Sequence, residues 1–113
     1  MKTSYFGAPG MFDNPLAVSI ARWPPRTWGA RRRYIALAPS IALLKKSRQG
    51  LPWPDYCREY QRDVLDHLDP EKIFADLHDT ILLCWEKDCE NCHRRLVAEW
   101  IEKKLGFKVA EYL

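Results

Sequence analysis

From Thr80 to Trp85 the chain reads TILLCW, a continuous apolar run of the kind that marks a strand buried on both faces. The charged triplet Glu86-Lys87-Asp88 ends it. Beyond the triplet Leu96, Val97, Trp100, Ile101 and Leu105 recur at helical spacing, Lys103 and Lys104 fall in the last turn, and Gly106 is placed to cap the helix. FKVAEYL, residues 107–113, closes the chain as another strand candidate. Residues 80–113 thus have the order of a βαβ unit, whose two strands must run parallel.

Upstream, the pattern alternates between strand-like and helical. KTSYF (2–6) is rich in β-forming residues before Gly-Ala-Pro-Gly breaks it, and LAVSIAR (16–22) puts Val18 and Ile20 on one face. WPPRTWGARRRY (23–34) carries two prolines and four arginines and predicts a surface loop. APSIALLKK (38–46) has Pro39 and Ser40 at its start and lysines at its end, the marks of a short helix. WPDYCREYQRDVLDHL (53–68) is the clearest helix, with Cys57, Tyr60, Val64 and Leu68 at helical spacing. Asp69-Pro70 then starts a further helix with Ile73, Phe74 and Leu77 as its stripe. These elements predict an α/β fold: one domain spanning 1–113, a small parallel or mixed sheet flanked by helices, ending in the βαβ unit.

Composition fits that reading. A hydrophobic content of 47% with five tryptophans supports a packed core rather than a disordered chain. No apolar run is long enough to span a bilayer, and the first ten residues lack the apolar stretch of a signal peptide. The expectation is a cytoplasmic protein with no membrane partner. In a reducing compartment the four cysteines are expected as free thiols or metal ligands rather than disulfides. Net charge is +3, but it is unevenly spread: residues 1–50 hold nine Lys/Arg and one acid, residues 51–113 nine Lys/Arg and fourteen acids. Either the halves attract each other, which is favoured slightly, or the basic half meets an anionic partner.

Three cysteines, a histidine and two arginines lie between Leu82 and Arg95. Cys89-Glu-Asn-Cys92-His93 matches the attachment pattern of c-type haem, but the preceding strand and following helix are not its context, and Met11, His67 or His78 would have to supply the distal ligand. Cys84, Cys89 and Cys92 have the spacing of three ligands in a plant-type iron–sulfur ferredoxin, with Cys57 on a helix face as the only fourth. Zinc through Cys89, Cys92 and His93 lacks a fourth ligand as well. Cys89-x5-Arg95 imitates a phosphate-binding loop with no glycine to let its amides converge. No metal ligand and no cofactor are therefore assigned. Position is more informative. In a parallel α/β sheet ligands bind beyond the carboxyl ends of the strands, and a helix N-terminus there favours an anion or a thiolate. Cys92, His93 and Arg94 fall at such a terminus, Arg22 and Trp23 end the second strand, and Glu86 and Lys87 follow the third. The bland alternative is a packed Cys92, a satisfied His93 and solvated arginines.

The blocks TILLCWEK and CHRRLVAEWIEKKLG, together with KTSYFG, VSIAR, LAPSIALLKK and WPDYCREYQRDVLDHLDPE, resemble the domain-of-unknown-function 488 family, in its compact members with a Cys-His-Arg motif. The resemblance covers nearly the whole chain. It implies an α/β fold and a shared polar site, with Cys84, Glu86, Lys87, Cys92, His93 and Arg94 at the motif positions and Arg22 at the second-strand arginine. Cys89 stands where that pattern commonly has proline, which makes the haem-like and zinc-like spellings coincidences laid over Cys-His-Arg.

Three functions compete. The leading one is an enzyme on a nucleotide or other phosphate-bearing small anion, with Cys92 as nucleophile, His93 or Glu86 as proton carrier, and Arg22, Lys87 and Arg94 as anion ligands. The second is a nucleic-acid-binding module, in which Trp23 and Trp28 stack on bases while Arg26, Arg31, Arg32 and Arg33 meet phosphates. The third is a metal or iron–sulfur redox protein through Cys84, Cys89 and Cys92. The sequence assigns no oligomeric state.

Overall fold

The structure is a computed structural model, and it describes residues 1–112. Three parallel strands form its sheet in the order β1-β3-β2: β1 Lys2–Tyr5, β2 Ala17–Ser19 and β3 Ile81–Cys84. The apolar run is the centre of this sheet, and period-two geometry sends its residues to opposite faces. Leu82 and Cys84 enter one core with Val18 and Ile20, whereas Ile81 and Leu83 enter a second with Ala17 and Ala21. Burial on both faces removes any need for polar alternation, as the unbroken run predicts.

The two faces are covered by different means. All four α-helices pack on the first: α1 Ile41–Arg48, α2 Trp53–Asp63, α3 Pro70–Leu77 and α4 His93–Leu105. Leu43, Tyr60, Leu77, Val97 and Ile101 are among their buried contributions to that core. Local capping sets the helix limits. Ser40 Oγ accepts from the Leu43 amide, Asp69 from the Glu71 amide, and Gly106 ends α4 at φ 80°, a left-handed conformation that suits glycine. The second face is covered by loops and two short 3-10 turns, Met11–Asp13 and Arg26–Trp28. Phe6, Phe12 and Trp28 meet edge to face there, with Phe6 and Phe12 each within 5.3 Å of the Trp28 ring centroid.

Two sequence expectations change in detail. The helix predicted over 53–68 stops at Asp63 and tightens into a 3-10 turn at Leu65–His67, a change of pitch that accompanies burial of both Val64 and Leu65. The last strand shrinks to a parallel bridge between Glu111 and Thr3, so the final leg of the βαβ unit lies outside β1 rather than beside β3. A similar bridge joins Ser19 to Arg33 on the outer side of β2.

A sheet buried on both sides makes a specific mutational prediction. Leu82→Ala and Leu83→Ala should each lower unfolding free energy by roughly 2–5 kcal/mol in urea titrations. If either leaves stability unchanged, that face is not core.

Candidate functional site

The carboxyl ends of β2 and β3 and the start of α4 surround a cavity of about 570 Å³. Cys84, Cys92, His93 and Glu86 line it from the strand ends and α4, and Ala21, Trp23 and Pro24 from the chain leaving β2. The end of α1 adds Ser47 and Arg48, and the start of α2 adds Trp53 and Tyr56. Trp85 completes the wall, with its indole N–H donating to the Trp23 carbonyl at 2.9 Å. The Arg48 guanidinium lies over the Trp23 ring at 5.6 Å, a cation–π contact at the cavity wall.

Cys92 is the N-cap residue of α4, and no side chain caps that terminus. Its first-turn amides therefore keep the partial positive charge of a helix start. The sulfurs of Cys84 and Cys92 meet across a Cα–Cα separation of 7.1 Å, just outside the usual cystine range of about 4.4–6.8 Å, while Cys57 and Cys89 stand apart from them. The strand end and the helix start bring these two sulfurs together. Ligand atoms of Cys84, Cys92 and His93 all lie within 4.8 Å of one another, the one group of metal-ligand type among the described residues. Cys89 is not part of it, so the expected set Cys84, Cys89 and Cys92 is not assembled: Cys89 belongs to the separate 3-10 turn Cys89–Asn91.

His93 sits 7% exposed, with its Nε2 2.9 Å from the Ile20 carbonyl and its ring edge-on to Tyr60. A carbonyl only accepts, so Nε2 carries the proton and Nδ1 keeps a lone pair. Its pKa is lowered to about 4, chiefly by burial, with the Ile20 hydrogen bond opposing the fall and the Arg94 charge adding to it. At neutral pH this histidine is uncharged, and burial holds it so.

Arg94 is fully buried. Nε donates to the Glu111 carboxylate at 3.2 Å, and Nη2 donates to Glu111 at 2.9 Å and to the Lys87 carbonyl at 3.0 Å. Nη1 donates to the Glu86 carbonyl and to Cys84 Sγ at 3.3 Å. All five guanidinium N–H groups thus face acceptors within the protein.

The residues expected at the site divide accordingly. Cys92, His93, Glu86 and Trp23 share the cavity; Arg22 and Lys87 are not in its lining. Arg22 Nε donates to the Pro39 carbonyl at 3.0 Å, and Lys87 is exposed. Trp28 does not offer a stacking surface, since it is 1% exposed and its indole donates to the Arg32 carbonyl. Arg26, Arg31, Arg32 and Arg33 are exposed, although Arg31 also donates to the carbonyls of Phe12, Thr27 and Trp28 and Arg33 to that of Gly29. Among the lining residues that the sequence did not point to are Arg48, Trp53, Tyr56 and Trp85. Their meeting is tertiary, and only the end of α1 as the site of basic residues gave a local signal for Arg48.

A family model described as "DUF488-N3a: Active DUF488-N3 subclade" matches residues 3–105. No curated protein and no solved structure matches the chain.

The neutral state of His93 fixes a pH response. Its folded pKa lies below the ordinary 6.5, so as pH falls below 6.5 the unfolded chain takes a proton that the folded one refuses. Stability contributed by the neutral ring is complete above that value and should fall by about 3 kcal/mol as pH drops toward 4. Urea unfolding of wild type and His93→Gln between pH 7.5 and 4 reads the effect. Equal pH slopes for the two proteins would refute it.

Proposed function

The chain belongs to the DUF488 family, and from that premise we propose that its cavity takes a small phosphate-bearing ligand, a nucleotide or a related compound, on which the reduced Cys92 acts as nucleophile. The observation that carries this reading is the shared lining: Cys92, His93 and Glu86 face one cavity together with Arg48, Trp23, Trp53 and Trp85. The helix terminus at Cys92 favours a thiolate. Glu86 at the lip carries the thiol proton to solvent, while the neutral His93 ring, held by the Ile20 carbonyl, stands beside the sulfur as a polar wall. Arg48 supplies the fixed positive charge for phosphate, with the tryptophan rings as apolar walls for a base. Arg94 contributes by holding the loop that carries Glu86, because its own donors are occupied.

Two measurements on the full chain, reduced with a dithiol, test this. Alkylation followed peptide by peptide against pH should put Cys92 below the ordinary thiol pKa of about 8.5. Tryptophan quenching by nucleoside monophosphates should report binding, weakened roughly tenfold or more by Arg48→Ala through loss of a charged hydrogen bond. An unreactive Cys92 together with unchanged fluorescence would sink the proposal.

A second reading has an observation of its own. Of the eight ion pairs among the described residues, seven lie within 51–113, and Lys46–Glu59 alone joins the halves. Direct pairing therefore leaves most of the basic half's charge to a partner, and a single-stranded nucleic acid meeting Arg26, Arg32 and Arg33, with Trp23 as its one exposed tryptophan from that half, is the corresponding proposal. Affinity for an oligonucleotide should drop steeply with salt, and the double variant Arg32→Ala, Arg33→Ala should flatten the slope by about one to two charges. Salt-independent affinity would dismiss it.

A further inference from the structure

We propose that Cys84 and Cys92 form a reversible redox switch on the cavity floor, closed by a peroxide and reopened by a dithiol, which decides whether the cavity presents a thiol. The switch rests on the reading of Cys92 as the cavity's nucleophile and adds a regulator to it. Three observations support it. The two sulfurs are in contact, and both residues line the cavity from different elements, the end of β3 and the start of α4. Their Cα separation of 7.1 Å lies just beyond the usual cystine range of about 4.4–6.8 Å, so opening and closing the bond goes with adjustment of the loop 85–91. Each sulfur also has its own source of positive potential: the uncapped start of α4 at Cys92, and the Arg94 Nη1 donor 3.3 Å from Cys84. Such surroundings favour thiolates, the form that reacts with peroxides and with disulfides.

The chemistry closes in two steps. The Cys92 thiolate attacks one peroxide oxygen, the O–O bond breaks, hydroxide leaves, and Cys92 becomes a sulfenic acid. The Cys84 thiolate then attacks the sulfenic sulfur. An S–S bond forms, the S–O bond breaks, and the departing hydroxide takes a proton to become water. The peroxide gains two electrons and the cysteine pair loses two. A dithiol reverses the bond by two exchanges, freeing both thiols and leaving as its own disulfide.

The test uses the full chain, reduced with dithiothreitol, desalted, and treated with one equivalent of hydrogen peroxide. Remaining thiols are then trapped with N-ethylmaleimide under denaturing conditions and mapped by peptide mass. Expected is a Cys84–Cys92 linked species about 2 Da lighter than the dithiol, with Cys57 and Cys89 still trapped. Dithiothreitol should restore labelling of both partners, and native iodoacetamide labelling of Cys92 should be roughly tenfold or more slower in the oxidised form. In Cys84→Ser given a second equivalent of hydrogen peroxide, Cys92 should instead gain about 32 Da as a sulfinic acid, having lost the partner that resolves the sulfenic acid. The proposal is overturned if wild-type Cys92 pairs with Cys89, if it over-oxidises while Cys84 stays alkylatable, or if metal analysis finds one zinc per chain holding both sulfurs. Ligand binding by the reduced protein without formation of the bond would remove the switch alone. A bond that forms and reopens in a protein that binds no nucleoside monophosphate would leave the switch and remove the nucleotide reading.

Discussion

Arg94 is the group on which the arrangement around the cavity depends. A guanidinium with no exposed surface is costly to remove from water, and here the charge is matched by Glu111 while the remaining donors meet two carbonyls and a sulfur. Its partners come from three places in the chain: the end of β3, the loop after it, and the C-terminal segment. One side chain on the first turn of α4 therefore fixes the position of all three. Removing either member of the Arg94–Glu111 pair leaves its partner short of compensation, a loss typically worth several kcal/mol for buried pairs. Because the guanidinium is so occupied, the cavity draws on another cation for any anion it holds, and Arg48 at the end of α1 is the one in its lining.

The neighbouring residues of the same helical turn follow from this anchoring. With Arg94 tied to the loop on one side, His93 is carried against the Ile20 carbonyl and Tyr60, where burial keeps it neutral. Cys92 is left as an N-cap with its sulfur toward Cys84. Three consecutive residues thus take three different roles: a thiol facing another sulfur, a desolvated imidazole and a paired cation. Nothing in their order along the chain distinguishes these roles, since each depends on what a different element brings up.

That difference explains what was legible beforehand. The central strand, the caps at Ser40 and Asp69 and the stop at Gly106 are properties of a few adjacent residues, and each is visible in the pattern of the chain. Cys92, His93 and Glu86 at the cavity follow from one rule about strand ends in parallel sheets, and the family blocks lie along the same route. The aromatic wall was hidden because Trp23, Trp53 and Trp85 converge from separate segments. Trp28 looked like part of an exposed basic loop, yet the second face of the sheet has no α-helix to cover it, and an indole from that loop fills the gap. The C-terminal strand shortened for a comparable reason: Glu111 serves Arg94 and Thr3 together, so the chain there follows side-chain demands as well as ladder geometry.

The short outer bridges have a consequence for behaviour in a crowded solution. An open sheet ordinarily offers two rows of unpaired backbone groups, which another chain can extend into a longer sheet. On the β1 side the Thr3 amide donates to Ala110 and the Thr3 carbonyl accepts from Tyr112; on the β2 side the Ser19 amide donates to Arg32 and its carbonyl accepts from Tyr34. Each border strand has only three or four residues, so one bridge occupies much of what it exposes. The sheet is thereby blunted at both margins against strand addition, and self-association into extended β aggregates requires first peeling away the segment around Arg33 or the C-terminal tail.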